Sequence, residues 1–153
     1  MSGNKIALRK EQVGLIEELA RALEQMGIQP ALAKILALLN VSDETELTFD
    51  QIMETLGLSK SAVSQALKQL EMTNRISYKT RIGDRKRYFH LVFSDWKAQM
   101  GEFFSAMGNI IEINKRIIAK RNPKTKEFNK NLTDRLNFMT LVYEKAMEGM
   151  KNQ

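Results

Sequence analysis

Gly57-Leu58-Ser59-Lys60-Ser61-Ala62-Val63-Ser64-Gln65-Ala66-Leu67 is the stretch on which the fold of this chain turns. Gly57 is free to take a positive φ, Leu58 fills a corner between two helices, and Ser59 caps the next one, so the first three residues read as a short helix-helix turn. A helix follows over about residues 60–72. Val63, Leu67 and Leu70 face inward at i, i+4 and i+7, leaving Lys60, Ser61, Ser64, Gln65 and Lys68 outward. Just upstream, Leu47-Thr48-Phe49 leads into a helix reaching about Leu56, with Thr48 as N-cap and Gln51 three residues on as the other half of a capping box.

Downstream of the second helix the period changes. Ile76, Tyr78, Thr80 and Ile82 alternate with Ser77, Lys79 and Arg81, which predicts a half-buried strand, and Tyr88 to Phe93 is a second aromatic and β-branched run. Gly83-Asp84-Arg85-Lys86 between them makes a hairpin tip. A helix-turn-helix followed by a β-hairpin is the order of a winged helix. The expected fold class is mainly α with a small β-hairpin wing: a winged helix-turn-helix plus long dimerisation helices.

Working back toward the N-terminus, Val13, Ile16, Leu19, Ala20, Leu23 and Met26 recur at helical spacing, and Gly27 is placed to close a helix over about residues 9–26. Pro30 suits the first turn of the next helix. Its Leu32, Ile35, Leu36, Leu38 and Leu39 cover too much of the circumference for a surface element, so it should be central to the core. The polar run Ser42 to Glu46 then interrupts the pattern.

Toward the C-terminus, Ser94-Asp95 offers caps for a long helix. In it Trp96, Met100, Phe103, Met107, Ile110, Asn114 and Ile117 step by four and three, with Phe104, Ile111 and Ile118 alongside, a heptad-like seam. Residues 94–121 would extend about 42 Å, more than a small domain needs for its own core. Asn122-Pro123 breaks the helix, and Leu132, Leu136, Met139, Tyr143, Ala146 and Met150 repeat the stepping on a last one. Residues 1–29 therefore read as an N-terminal dimerisation helix, 30–93 as the winged helix-turn-helix, and 94–153 as a helical hairpin for dimerisation and ligand sensing.

Composition limits the chemistry. The 153 residues are 43% hydrophobic and 27% charged, enough for a real core. The net charge of +6 favours phosphates or anionic lipid as partners. It is concentrated in Arg75, Lys79, Arg81, Arg85, Lys86 and Arg87 around the lone acid Asp84, and again between Lys115 and Lys130. The absence of cysteine excludes disulfides and thiolate chemistry, and one histidine, His90, leaves few metal ligands. No metal, cofactor or enzymatic activity is expected, since the paired acids Glu17-Glu18 and Asp43-Glu44 have no nucleophile or metal cluster beside them. The start lacks the apolar core of a signal peptide and no run approaches a membrane span, so a cytoplasmic protein without membrane contact is expected.

The outward face of helix 59–72 has the character of a recognition helix for double-stranded DNA: small residues near its start allow close approach to a groove. Ser61 and Gln65 are the candidates for base edges, and Lys60, Ser64 and Lys68 for phosphate or mixed contacts. In the wing, residues 82–87, Arg85, Lys86 and Arg87 are candidates for the minor groove, with Lys79 and Arg81 in support on phosphates. The plainer readings are a solvated helix face and a hairpin tip charged only for solubility. Asp84 should orient Arg85 or Arg87, or bond its own turn, and His90 should be a strand residue. The nine methionines point to an adaptable core or interface.

Gln25 to Pro30 leading into Ile35 to Leu39, then Leu58 to Leu67, then Gly83-Asp84-Arg85-Lys86-Arg87-Tyr88-Phe89, resembles the GbsR-like branch of the MarR superfamily of winged helix-turn-helix regulators. The resemblance covers about residues 10–97, and its specificity lies in the ordered set. It implies a homodimeric repressor with helix 59–72 in the major groove, the wing in the minor groove and dimerisation through terminal helices. The superfamily often has Asp followed two residues later by Arg in the wing; here Lys86 stands there, between Arg85 and Arg87. The branch also resembles osmoprotectant-gene regulators that sense choline-like compounds. A small-molecule effector held by Trp96, Phe103, Phe104, Phe138 and Tyr143 is the corresponding expectation, with packing of the core and dimer as the competing role of these rings. Beyond this class stands a winged-helix scaffold that binds protein through its helical hairpin without sequence-specific DNA binding.

Overall fold

The computed structural model describes residues 3–152, which divide into two compact units, one ending at Ser94 and the other beginning at Asp95. The first contains α1 (Lys10–Gln25), α2 (Pro30–Val41), β1 (Leu47–Thr48), α3 (Phe49–Leu56), α4 (Lys60–Met72), β2 (Ile76–Thr80) and β3 (Arg87–Leu91). The second is α5 (Trp96–Lys120) and α6 (Lys126–Lys151).

Local chemistry explains the helix boundaries of the first unit. Pro30 opens α2. Thr48 Oγ1 accepts the Gln51 N–H at 3.2 Å while the Thr48 N–H donates to Gln51 Oε1 at 2.8 Å, the reciprocal box the spacing predicts. Gly57 closes α3 at φ 63°, and Ser59 Oγ accepts the Ala62 N–H at 3.2 Å to open α4. The chain leaves α4 through Asn74 at φ 55°, one of the few side chains that tolerate the left-handed region, and the Arg75 N–H closes on the Leu70 carbonyl.

The core forms around α2, which is buried at Leu32, Ala33, Ile35 and every position from Leu36 to Leu39. Leu47, Ile52, Val63, Leu70 and Ile76 complete it, each at most 1% exposed. Each such side chain contributes about 1.5–3 kcal/mol by leaving water. The α1 helix packs on α2 through the middle of the face that the apolar spacing predicts, with Leu19 and Leu23 against the core, and departs from it at the two ends. Ile16 and Ala20 are buried, whereas Val13 and Met26 are exposed and Gln12 is 4% exposed. Gln12 takes the inward place because it serves two backbone groups: Oε1 accepts the Arg9 N–H at 3.0 Å and Nε2 donates to the Val41 carbonyl at 3.2 Å.

The sheet has three antiparallel strands in the order β1-β3-β2, so the expected hairpin gains a third, two-residue strand. Leu47 pairs with Phe89, and Tyr78 with Phe89 on the other side. Burial along β2 ends early: Ile76 is buried, Tyr78 is exposed, and Ile82 lies beyond the strand fully in solvent. The alternation predicted to Ile82 fails there because the strand ends at Thr80 and Ile82 falls in the turn at the hairpin tip.

In the second unit α5 and α6 pack against each other. Ile111 and Leu136 are buried between them, and Phe104, Met107, Ile118, Met139 and Tyr143 are half-buried. The turn between the helices is held by Asn129, whose Nδ2 donates to the Asn122 carbonyl at 2.9 Å and whose Oδ1 accepts from Arg121 Nε at 2.6 Å. Trp96, Met100, Phe103, Ile110 and Ile117 of the heptad-like seam remain exposed.

Candidate nucleic-acid interface

One face of the first unit carries the features of a groove reader. Lys60, Ser61, Ser64, Gln65 and Lys68 are exposed on α4, while Val63, Ala66, Leu67 and Leu70 anchor its opposite side. The polar face is thus fixed to the core by a buried stripe along the same helix. Ser61 Oγ lies 3.3 Å from Ser59 Oγ, so its hydroxyl sits beside the residue that caps the helix. Gln65 and Lys68 make no side-chain hydrogen bond or ion pair among the described residues and are available to a ligand.

The wing is built around Asp84. Gly83 turns the chain at φ 79°, Asp84 Oδ1 accepts the Lys86 N–H at 2.9 Å, and Oδ2 accepts the Tyr88 hydroxyl. Asp84 therefore bonds its own turn and reaches forward to Tyr88, and its hydrogen-bond partners are not Arg85 or Arg87. These bonds, Tyr88 first, hold its carboxyl below the usual carboxylate range.

Alternation separates the wing cations. Lys79 in β2 and Arg81 just beyond its end meet one acid, Glu46, which accepts from Lys79 Nζ at 2.8 Å and from Arg81 Nη2 at 3.4 Å. The Arg81 guanidinium also stacks 3.6 Å from the centre of the Tyr88 ring. Arg87, opposite Thr80 on the other face, lies 4.5 Å over the Tyr78 ring. Arg85, Lys86 and Arg87 share a recess with Thr48, Phe49 and Asp50, yet carry no ion pair among the described residues. His90 sits in β3 opposite Ser77.

Glu46, Tyr78 and Tyr88 hold wing cations in contacts that the spacing did not disclose. Glu46 ends the polar run that interrupts the helical pattern. Only its place one residue before β1 brings it beside Lys79, and a two-residue strand has no period to detect.

The five aromatic candidates for an effector cage are differently placed within the second unit. Trp96, Phe103 and Phe138 are exposed, and Phe104 and Tyr143 half-buried. Phe103 and Phe104 meet edge to face at 5.4 Å. Tyr143 borders a recess of about 360 Å³ with Gly108, Asn109, Lys115 and Glu144, shared with none of the other four rings. In the first unit a larger cleft, about 570 Å³, lies between the N-terminal segment and α1, lined among others by Ile6, Leu8, Val13, Ile16 and Arg21. Among the described residues no group of three or more histidines and acids could hold a metal ion, and no helix is long and apolar enough to cross a membrane.

The helix-turn-helix and wing agree with what known proteins show. Residues 31–83 match the HTH domain family model. A crystal structure of a transcriptional regulator is similar over 94% of this chain and 99% of its own, at 19% identity and a TM-score of 0.61. MepR of Staphylococcus aureus bound to DNA is 21% identical over 84% of this chain and 92% of its own, with a TM-score of 0.43. MepR described as a transcription regulator of the multidrug efflux pump MepA gives 21%, 84%, 93% and 0.43 for the same quantities. No curated protein sequence matches the chain. The fold is a winged helix-turn-helix, with two long helices following it.

Proposed function

We propose that this protein is a sequence-specific, double-stranded-DNA-binding transcriptional regulator, a cytoplasmic homodimeric repressor of the GbsR-like branch of the MarR superfamily. The observation that carries the reading is the pairing, within one compact unit, of an exposed Ser61-Ser64-Gln65-Lys68 face on α4 with a wing tip bearing three cations that form no ion pair among the described residues. The α4 helix enters the major groove, where Gln65 offers the bidentate amide that suits adenine and Ser61 a hydroxyl that suits either purine or pyrimidine edges. Lys60, Ser64 and Lys68 meet phosphates; Lys79 and Arg81, the phosphate candidates on the wing strand, are engaged by Glu46 and would meet phosphates only on release from it. One of Arg85, Lys86 and Arg87 reaches the adjacent minor groove, where narrow A·T tracts concentrate negative potential.

The regions outside residues 30–93 serve dimerisation, and the C-terminal hairpin is the region for a small-molecule effector of unidentified chemistry. The exposed seam on α5 supports the dimer.

Selection of bound duplexes from a random pool, followed by challenge with small metabolites, tests this reading. Enrichment of an inverted repeat is expected, with release on challenge. Gln65→Ala should cost about 1–3 kcal/mol on the selected duplex and little on random DNA, whereas Arg85→Ala and Lys86→Ala should weaken both alike. A folded protein that retains no duplex even at low salt would rule the reading out.

A further inference from the structure

Lys79, Arg81, Arg85, Lys86 and Arg87 belong to one wing, but the fold treats the first two differently from the rest. Glu46 gives one carboxylate oxygen to Lys79 Nζ at 2.8 Å and the other to Arg81 Nη2 at 3.4 Å. Its own side chain is only 22% exposed, against 63% and 58% for its partners, so the acid is seated in the surface while the cations lean over it. The two cations also favour its ionised form, which keeps the carboxyl below the usual range. Arg81 is held a second time by the Tyr88 ring, which Asp84 in turn fixes through the hydroxyl.

A carboxylate that meets two neighbouring cations through separate oxygens offers them what a DNA phosphate would. Binding to duplex DNA draws much of its strength from counterions released as cations neutralise phosphates. A phosphate arriving at Lys79 or Arg81 must instead expel Glu46, which stays tethered and negative beside the backbone it has been displaced by. The exchange gains little, and it opposes binding at any sequence, because phosphates carry no sequence information.

We propose that Glu46 is an internal competitor of the DNA backbone, an affinity-setting residue that withholds Lys79 and Arg81 from phosphates and leaves wing contact to Arg85, Lys86 and Arg87. The inference rests on the DNA-binding reading above. Its consequence is that α4, reading bases, has more weight in deciding where the protein stays than the full charge of the wing would allow.

The test is the salt dependence of duplex binding by the full chain, for the unchanged protein, Glu46→Gln and Glu44→Gln. Glutamine keeps the size of Glu46 and removes its charge. Glu44 is the matched control: it lies two residues away, bonds Ser42, and pairs with no cation among the described residues. Glu46→Gln should tighten binding to selected and random duplexes by a common factor, and steepen the slope of log K against log salt by up to about 1.8, that is, about 0.9 for each of two phosphates. Glu44→Gln should leave the slope unchanged, and adding Lys79→Gln and Arg81→Gln to Glu46→Gln should abolish the gain. An unchanged slope in Glu46→Gln, an equal gain in Glu44→Gln, or weaker binding by Glu46→Gln would each overturn the competitor role while the DNA-binding reading stands. An unchanged protein that binds no duplex at low salt overturns both.

Discussion

Asp84 shows how much of the wing depends on one carboxylate. Its two oxygens take the Lys86 N–H and the Tyr88 hydroxyl, and through Tyr88 they fix the ring on which Arg81 stacks. The carboxyl is held low in the folded state, so its contribution to wing order is fully present above the unfolded value of about 3.9 and is lost as pH falls through the lower, folded value. Wing geometry should therefore be constant through neutral pH and loosen only in acid below the ordinary carboxylate range. Tyr88→Phe keeps the ring beneath Arg81 but removes the largest cause of the shift. In a carboxyl-detected NMR titration the Asp84 midpoint should move up toward its ordinary value in that variant. A midpoint that does not move would assign the shift to the Lys86 N–H alone.

Two glycines in helices make opposite predictions at the scale of elements. Gly14 lies on the exposed side of α1, and a methyl group there meets nothing within 4 Å, so Gly14→Ala should add about 0.5–1 kcal/mol by lowering the backbone entropy lost on folding. Gly108 in α5 is different: an added Cβ would lie 2.8 Å from Tyr143 Oη and 3.0 Å from Cζ. The clash should outweigh the helix preference and cost about 1–3 kcal/mol, measured by thermal unfolding. In a Tyr143→Leu background the same Gly108→Ala change should become stabilising. Equal losses in both backgrounds would show that Gly108 does not exist to admit the ring. The elements most legible in the sequence are those whose boundaries are set by adjacent residues, such as the Thr48-Gln51 box, Gly57 and Ser59. What escaped depends on partners distant in the chain. Gln12 is inward because Val41 offers a carbonyl 29 residues away, and β1 exists only because β3 lies alongside. The outward residues of α4 were legible from helical spacing alone, whereas the pairing of Lys79 and Arg81 required the location of Glu46.

At the scale of the whole molecule, the apolar surface left on the second unit has to be accounted for. Trp96, Phe103, Ile110 and Ile117 recur every seven residues along one side of α5, and all remain exposed, as do Phe138, Leu141 and Val142 on α6. Seven-residue recurrence keeps a seam on one side of a helix long enough to meet another helix, and scattered surface apolar residues have no such order. A second copy of the chain is the partner that the proposed regulator requires, since two α4 helices about 34 Å apart are what an inverted repeat with half-sites one turn apart demands. Placing glutamate at Phe103 or Ile110 would bury an unpaired charge in that seam, so each variant should shift the protein toward monomer in sedimentation equilibrium. The DNA consequence follows from the linkage of two half-sites: a monomer loses the second, intramolecular contact, and its affinity for the selected repeat should fall by about two orders of magnitude or more. Binding to a single half-site should change little, because α4 and the wing lie in the other compact unit. A protein that sediments as a monomer before substitution, or variants that remain dimeric with full affinity for the repeat, would remove the seam from the interface and leave its heptad spacing without a role in DNA binding.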